Sequence, residues 1–146
     1  MKLIIQRVKE SSLEIENKIF SSIGFGMVVL IGISKTDNRD IAKNLADKIS
    51  KLRIFNGDNG KMNKNIQEIN GEVLVVSQFT LYADTKKGNR PSFISAAKPE
   101  MAVNLYSYFI EQLQKLVKSK IKTGKFGADM KVKLINDGPV TIILEK

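Results

Sequence analysis

Val73-Leu74-Val75-Val76-Ser77-Gln78-Phe79-Thr80-Leu81 is the stretch whose reading decides the fold. Its first four residues are aliphatic and mostly β-branched, with no polar side chain to face water, so they predict a strand covered on both sides. Asn70-Gly71 supplies the turn before it, and polar residues take over at Ser77. Upstream, Met27-Val28-Val29-Leu30-Ile31-Gly32-Ile33 reads the same way, as a second buried strand. Leu3 to Val8 and Leu13-Glu14-Ile15-Glu16 predict two further strands, the second with period-2 alternation and with Asn17-Lys18 as a hairpin turn into Ile19-Phe20.

Two helices must cover these strands. Asp37 is placed to cap the first, whose apolar positions Ile41, Leu45, Ile49 and Leu52 recur at helical spacing, with Asn56-Gly57 ending it. Asp58-Asn59-Gly60-Lys61 is a tight polar loop. Pro99 opens the second helix, and Met101, Leu105, Tyr106, Phe109, Leu113 and Leu116 form its apolar stripe. A last strand pair is expected over Met130 to Ile135 and Val140 to Leu144. The predicted fold is α+β: a mixed, mainly antiparallel, barrel-like sheet packed with two long helices, in one domain spanning 1–146.

Composition removes whole classes of chemistry. The 146 residues carry 24 Lys+Arg against 15 Asp+Glu, a net charge of +9, with no Cys and no His. Disulfides, thiolate nucleophiles, Ser-His and Cys-His machinery and zinc-hydrolase sites are therefore excluded. Carboxylates such as Asp84 and Asp129 are scattered, so no metal and no cofactor is expected. The longest apolar run is far short of the ~20 residues that span a bilayer, and the N-terminus lacks a signal-peptide core. A cytoplasmic protein with no membrane partner is the expectation.

The positive charge is clustered. Lys115, Lys118, Lys120, Lys122 and Lys125 follow one another without an intervening acid, and Lys86, Lys87 and Arg90 flank the turn at Gly88-Asn89. Such clusters suit a polyanion, and equally suit a solvated helix end in a lysine-rich chain. No RNA-recognition aromatic signature, helix-turn-helix or zinc module accompanies them.

Two segments carry candidate chemistry. At Ser77-Gln78-Phe79-Thr80-Leu81 a buried strand meets polar groups and then the loop from Ala83 to Phe93; if the strand continued, Ser77 and Phe79 would share one face, Gln78 and Thr80 the other. Strand-end capping of the backbone explains the hydroxyls as well. Asn136-Asp137-Gly138-Pro139-Val140-Thr141 reads by itself as a turn with a trans Gly-Pro bond, since only about 5–6% of X-Pro bonds in folded proteins are cis.

Taken together, these segments, with Gly88-Asn89-Arg90-Pro91-Ser92-Phe93 and with Thr123-Gly124 followed by Phe126-Gly127-Ala128-Asp129-Met130, resemble the D-aminoacyl-tRNA deacylase family. Ile5-Gln6-Arg7-Val8 and the segment from Arg53-Ile54-Phe55 through Gly60-Lys61-Met62-Asn63 extend the likeness over almost the whole chain, in order.

The resemblance implies a homodimeric hydrolase that splits the ester of D-aminoacyl-tRNA, and of glycine mischarged on tRNA, with aminoacylated tRNA as its partner and an active site shared across subunits. It further implies a cis Gly138-Pro139 peptide reaching into the partner subunit's site, where outward carbonyls exclude an L substituent and Arg7 helps to hold them. Phe79 and Thr80 would position the substrate and stabilise an oxyanion through backbone N–H groups, while the tRNA 2′-hydroxyl assists catalysis. Ser77, Gln78, Phe79, Thr80, Met130, Gly138, Pro139 and Arg7 would bind substrate, and Lys115, Lys118, Lys120 and Lys122 the tRNA. Two alternatives stand beside this reading: a Thr80-dependent esterase of small molecules, and a non-enzymatic RNA-binding protein.

Overall fold

The computed structural model describes residues 1–119 and 121–146. Strand β1 (Lys2–Ile15) is the spine of the sheet. Along one edge it pairs antiparallel first with β3 (Gly26–Gly32) and then with β2 (Lys18–Ile23), and along the other with β8 (Lys131–Glu145). The two N-terminal strands predicted from the sequence are thus one. The polar interruption Lys9-Glu10 falls where β1 leaves β3 for β2, and both side chains are exposed there. The hairpin turn is Glu16-Asn17 rather than Asn17-Lys18, with φ of 51° and 60° matching the twist of the flanking strands.

Strand β3 pairs in parallel with β6 (Glu72–Ser77), and β6 in parallel with β7 (Ile121–Thr123). Ser21 Oγ of β2 donates to the Thr123 carbonyl of β7 at 2.6 Å, drawing the sheet toward a closed barrel. This is the mixed, barrel-like α+β architecture expected from the sequence. A short hairpin of β4 (Phe55–Asn56) and β5 (Met62–Lys64) stands apart.

Both faces of β6 are buried, as its composition requires. Val73 and Val75 join Leu3, Ile5, Val29 and Ile31 under helices α1 (Arg39–Ser50) and α2 (Pro99–Leu116), against Leu45, Ile49, Phe109 and Leu113. Leu74 and Val76 point the other way, into a second cluster with Val8, Leu13, Ile23 and Val28. Each such side chain contributes roughly 1.5–3 kcal/mol by leaving water.

Helix α1 is capped by Asn38, whose Oδ1 accepts from Ile41 N–H at 3.0 Å, and not by Asp37. Asp37 is buried instead: its carboxylate pairs with the Met1 amine and accepts from Ser34 N–H at 2.7 Å. The helix also stops at Ser50, short of Asn56-Gly57, because Phe55-Asn56 is drawn into the β4–β5 hairpin.

The C-terminal strand pair is likewise a single strand. β1 offers one continuous edge to all of β8, so the two halves need not pair with each other. Val8 stands opposite Asn136 and Gln6 opposite Thr141, which leaves Asp137-Gly138-Pro139-Val140 facing Arg7 alone. The segment read as a turn is a bulge within β8, and its Gly138–Pro139 peptide is cis rather than trans.

Candidate active site

Where β6 ends, the chain reverses. Gln78 N–H extends the pairing by donating to the Ile31 carbonyl at 2.8 Å, and Phe79–Tyr82 then closes into a 3-10 turn. Gly32 makes room for that turn, since a Cβ there would stand 2.9 Å from Leu81 Cβ. The strand alternation expected beyond Ser77 therefore does not occur. Ser77, Gln78 and Phe79 all face one cavity of about 580 Å³, while Thr80 lies outside its lining and is exposed.

Ile31 and Ile33 also line this cavity, as do Phe93, Ala96 and Ala97 from the loop before α2, Pro99 and Ala102 from α2 itself, and Phe126 through Met130. Phe79 and Phe93 meet edge to face with ring centres 5.1 Å apart. Phe126 rests on Tyr106, whose hydroxyl donates to the Val75 carbonyl at 2.8 Å. Burial raises the Tyr106 pKa far above the ordinary range, so the group is a fixed neutral donor. Gly124 leaves space for Met130, whose sulfur would lie 2.6 Å from a Cβ at that position.

The chemistry of this pocket is spare. Asp129 is the one ionisable side chain among the residues lining it, and no group of three or more His, Cys, Asp or Glu side chains gathers to hold a metal among the described residues. Thr80 Oγ1 accepts from the Gln78 side-chain amide, which is a donor and no base. The N–H groups of Phe79 and Thr80 open the 3-10 turn and so have no carbonyl one turn behind them to bond.

A second constellation surrounds the β8 bulge. The buried Arg7 donates from Nε to the Asp137 carbonyl at 2.9 Å, and from Nη1 to the Ile54 carbonyl at 2.8 Å and Asn56 Oδ1 at 3.1 Å. Gly138 and Pro139 are exposed beyond it and do not line the cavity. Of the residues expected to bind substrate, one chain brings together Ser77, Gln78, Phe79 and Met130 in one place and Arg7, Gly138 and Pro139 in another.

The lysines expected to hold tRNA differ among themselves. Lys115 is paired with Glu111 at 2.6 Å, Lys118 is exposed and Lys122 is half-buried in β7, while Lys120 lies outside the described residues. Hydrogen bonding from Lys115 holds the Glu111 carboxyl below its usual pKa. Phe93, Phe126 and Asp129 also line the cavity, each from inside a motif quoted above that gives it no role of its own, while Ala96, Ala97 and Ala102 have no side-chain chemistry by which a sequence could mark them. No helix among the described residues is long and apolar enough to cross a membrane.

Comparison with known proteins gives this geometry a context. A family model described as D-Tyr-tRNA(Tyr) deacylase matches residues 4–145. The chain is 57% identical over 142 residues to the D-aminoacyl-tRNA deacylase of Cytophaga hutchinsonii, covering 97% of this chain and 95% of that one. It is 54% identical to the protein of the same name from Flavobacterium psychrophilum, covering 99% and 97%. Among solved structures, the c-Myc DNA unwinding element binding protein superposes with a TM-score of 0.95 at 43% identity, covering 100% of this chain and 99% of that one. A probable eukaryotic D-amino acid tRNA deacylase superposes with a TM-score of 0.82 at 17% identity, covering 98% and 97%, a likeness of fold.

Proposed function

Because this chain belongs to the D-Tyr-tRNA(Tyr) deacylase family, we propose that it hydrolyses the ester joining a D-amino acid to the terminal ribose of tRNA, releasing free amino acid and reusable tRNA. The observation that carries the mechanism is the cavity at Ser77, Gln78 and Phe79, whose mostly apolar lining holds, among the described residues, no Lys or Arg and a single ionisable side chain, Asp129, with the chain having no His or Cys to activate a nucleophile. A substrate that brings its own hydroxyl next to the ester fits such a pocket.

In this reading the 2′-hydroxyl of the terminal ribose assists attack of water on the ester carbonyl. The carbonyl oxygen gains negative charge, which the N–H groups of Phe79 and Thr80 stabilise. The 3′-oxygen then leaves with a proton. Ser77, Gln78 and Phe79 orient the acyl group, and positioning of this kind can supply ~7–11 kcal/mol of barrier lowering. A covalent role for Thr80 is disfavoured by its exposure, its place outside the cavity lining and its hydrogen bond from an amide donor.

Chiral selection is assigned to the Gly138-Pro139 segment of a second copy, which would enter the cavity and leave no room for an L substituent while glycine, lacking a side chain, still passes. Support for the dimer comes from β8, which among the described residues pairs with β1 alone and presents Ile135 and Ile143 at 51% and 64% exposure. The test is incubation with D-, L- and glycyl-tRNA followed by measurement of free tRNA. Rapid loss of the D and glycyl esters with the L ester intact is expected; nucleic-acid binding without hydrolysis would favour a binding protein.

A further inference from the structure

Three cations of this chain, Lys86, Lys87 and Arg90, lie on the loop that leads into the cavity wall at Phe93 and not at the far end of α2. The segment from Thr85 to Lys98 contains Lys86, Lys87, Arg90 and Lys98 and no acid. It is a pinned loop: Asp84 and Ser92 exchange backbone hydrogen bonds of 2.8 and 2.9 Å, Asp84 Oδ1 accepts from Lys86 N–H, and Gly88 turns the tip with φ of 72°. Immediately beyond the pin comes Phe93, a wall of the cavity. Arg90 is three residues from Phe93, a reach of about 10 Å at most. Lys86, Lys87 and Arg90 are exposed, and none of them takes part in an ion pair among the described residues.

Lys115 offers a contrast, since it is neutralised by Glu111 and lies sixteen residues along α2 from Pro99, about 24 Å at 1.5 Å per residue. A nucleic acid whose terminal nucleoside sits in the cavity carries its next phosphates just outside the entrance, not 24 Å away. The entrance also offers stacking surface, with Phe79 58% and Phe93 37% exposed. Unpaired cations beside exposed aromatic rings are the combination that holds single-stranded nucleic acid.

We propose that Lys86, Lys87 and Arg90 form a clamp for the last phosphates of the single-stranded 3′ end of the substrate RNA, separate from any contact that the α2-end lysines make with its body. The assignment rests on the deacylase reading. Ion pairing with phosphate releases counterions, so each contact adds about 0.7 to the salt slope of single-strand binding; three contacts give about 2, or on the order of 100-fold in affinity at 0.1 M salt.

The test measures binding of adenosine, the dinucleotide CA and the trinucleotide CCA, which add phosphates one at a time, to the wild type and to K86A/K87A/R90A. Circular dichroism and dimer content confirm that the variant is folded. Wild-type affinity should climb with each added phosphate and fall with salt, and the variant should lose both the climb and about 2 of the slope with full-length tRNA. Equal increments and equal slopes in the two proteins would overturn the clamp. The deacylase reading is judged separately, by whether the wild type splits D-aminoacyl-tRNA, so either idea can fail alone.

Discussion

Arg7 Nε lies 2.9 Å from the main-chain carbonyl of Asp137 and 3.2 Å from the carboxylate of the same residue, so one guanidinium edge holds both halves of Asp137. With Nη1 on Ile54 and Asn56, it ties the β8 bulge to the start of the β4–β5 hairpin. Hydrogen bonds from a charged donor contribute about 1.5–3 kcal/mol each, and an unpaired buried acceptor costs about 1–3 kcal/mol. Arg7→Ala should lower the unfolding free energy in urea by about 3–5 kcal/mol. Arg7→Lys should recover only part, because a single ammonium cannot span the same acceptors. A loss under 1 kcal/mol in both variants would show that the bulge holds itself.

Gly138 sits against that arginine. Its φ of 128° is a conformation L side chains rarely adopt, and a Cβ there would stand 2.9 Å from both Arg7 Nη2 and Val140 Cγ2. Gly138→Ala should therefore cost about 1–3 kcal/mol and shift the bulge. If this segment excludes L substrates, the ratio of D- to L-aminoacyl-tRNA hydrolysis should fall at least tenfold, read as initial rates on the two substrates. A folded variant with an unchanged ratio would move chiral selection to the Ser77–Phe79 wall.

Thr80 separates the catalytic schemes. A nucleophile cannot lose its hydroxyl, whereas a residue serving through its backbone can. Thr80→Ala is expected to retain D-aminoacyl-tRNA hydrolysis within about tenfold, mostly as a change in kcat/KM. Wild-type protein should fail on tRNA ending in 2′-deoxyadenosine, and full activity on that substrate would sink the assisted mechanism.

Tyr106 predicts an alkaline limit. Burial raises its pKa above the ordinary 10.0, so the folded chain keeps the phenol neutral while the unfolded chain ionises. The stabilisation is complete below pH 10 and is lost as pH rises beyond it, at up to about 1.4 kcal/mol per pH unit. Tyr82, raised by burial and then by Asp37, acts in the same direction. Tyr106→Phe should cost about 1 kcal/mol at pH 7, because the Val75 carbonyl still accepts from Gly124 N–H at 3.0 Å, and should flatten the decline above pH 10. Denaturant midpoints across pH 7–11 would show parallel declines if the phenol were not involved.

Much of this molecule is written locally. The aliphatic run Val73–Val76 had to be a strand covered on both faces, and it is; the α2 stripe from Leu105 to Leu113 had to face a core, and it does. The absence of His and Cys set the limits of the chemistry before any geometry was known. Side-chain period and residue type are properties of neighbours in the chain, so a sequence displays them directly.

What the tertiary structure decided concerns partners distant in sequence. Asn136–Val140 has the composition of a turn, yet the long edge of β1 recruits both of its flanks and makes it a bulge closed by Arg7, some 130 residues away. Asp37 has the chemistry of a helix cap, yet the Met1 amine claims it and Asn38 caps α1. Thr80 leaves the pocket that Ser77 and Gln78 line because Gly32 admits the 3-10 turn, and Ala96, Ala97 and Ala102 enter it only through the packing of α2. In each case local preference is worth about 1 kcal/mol or less, and a buried ion pair, a continuous sheet edge or a close backbone approach outweighs it.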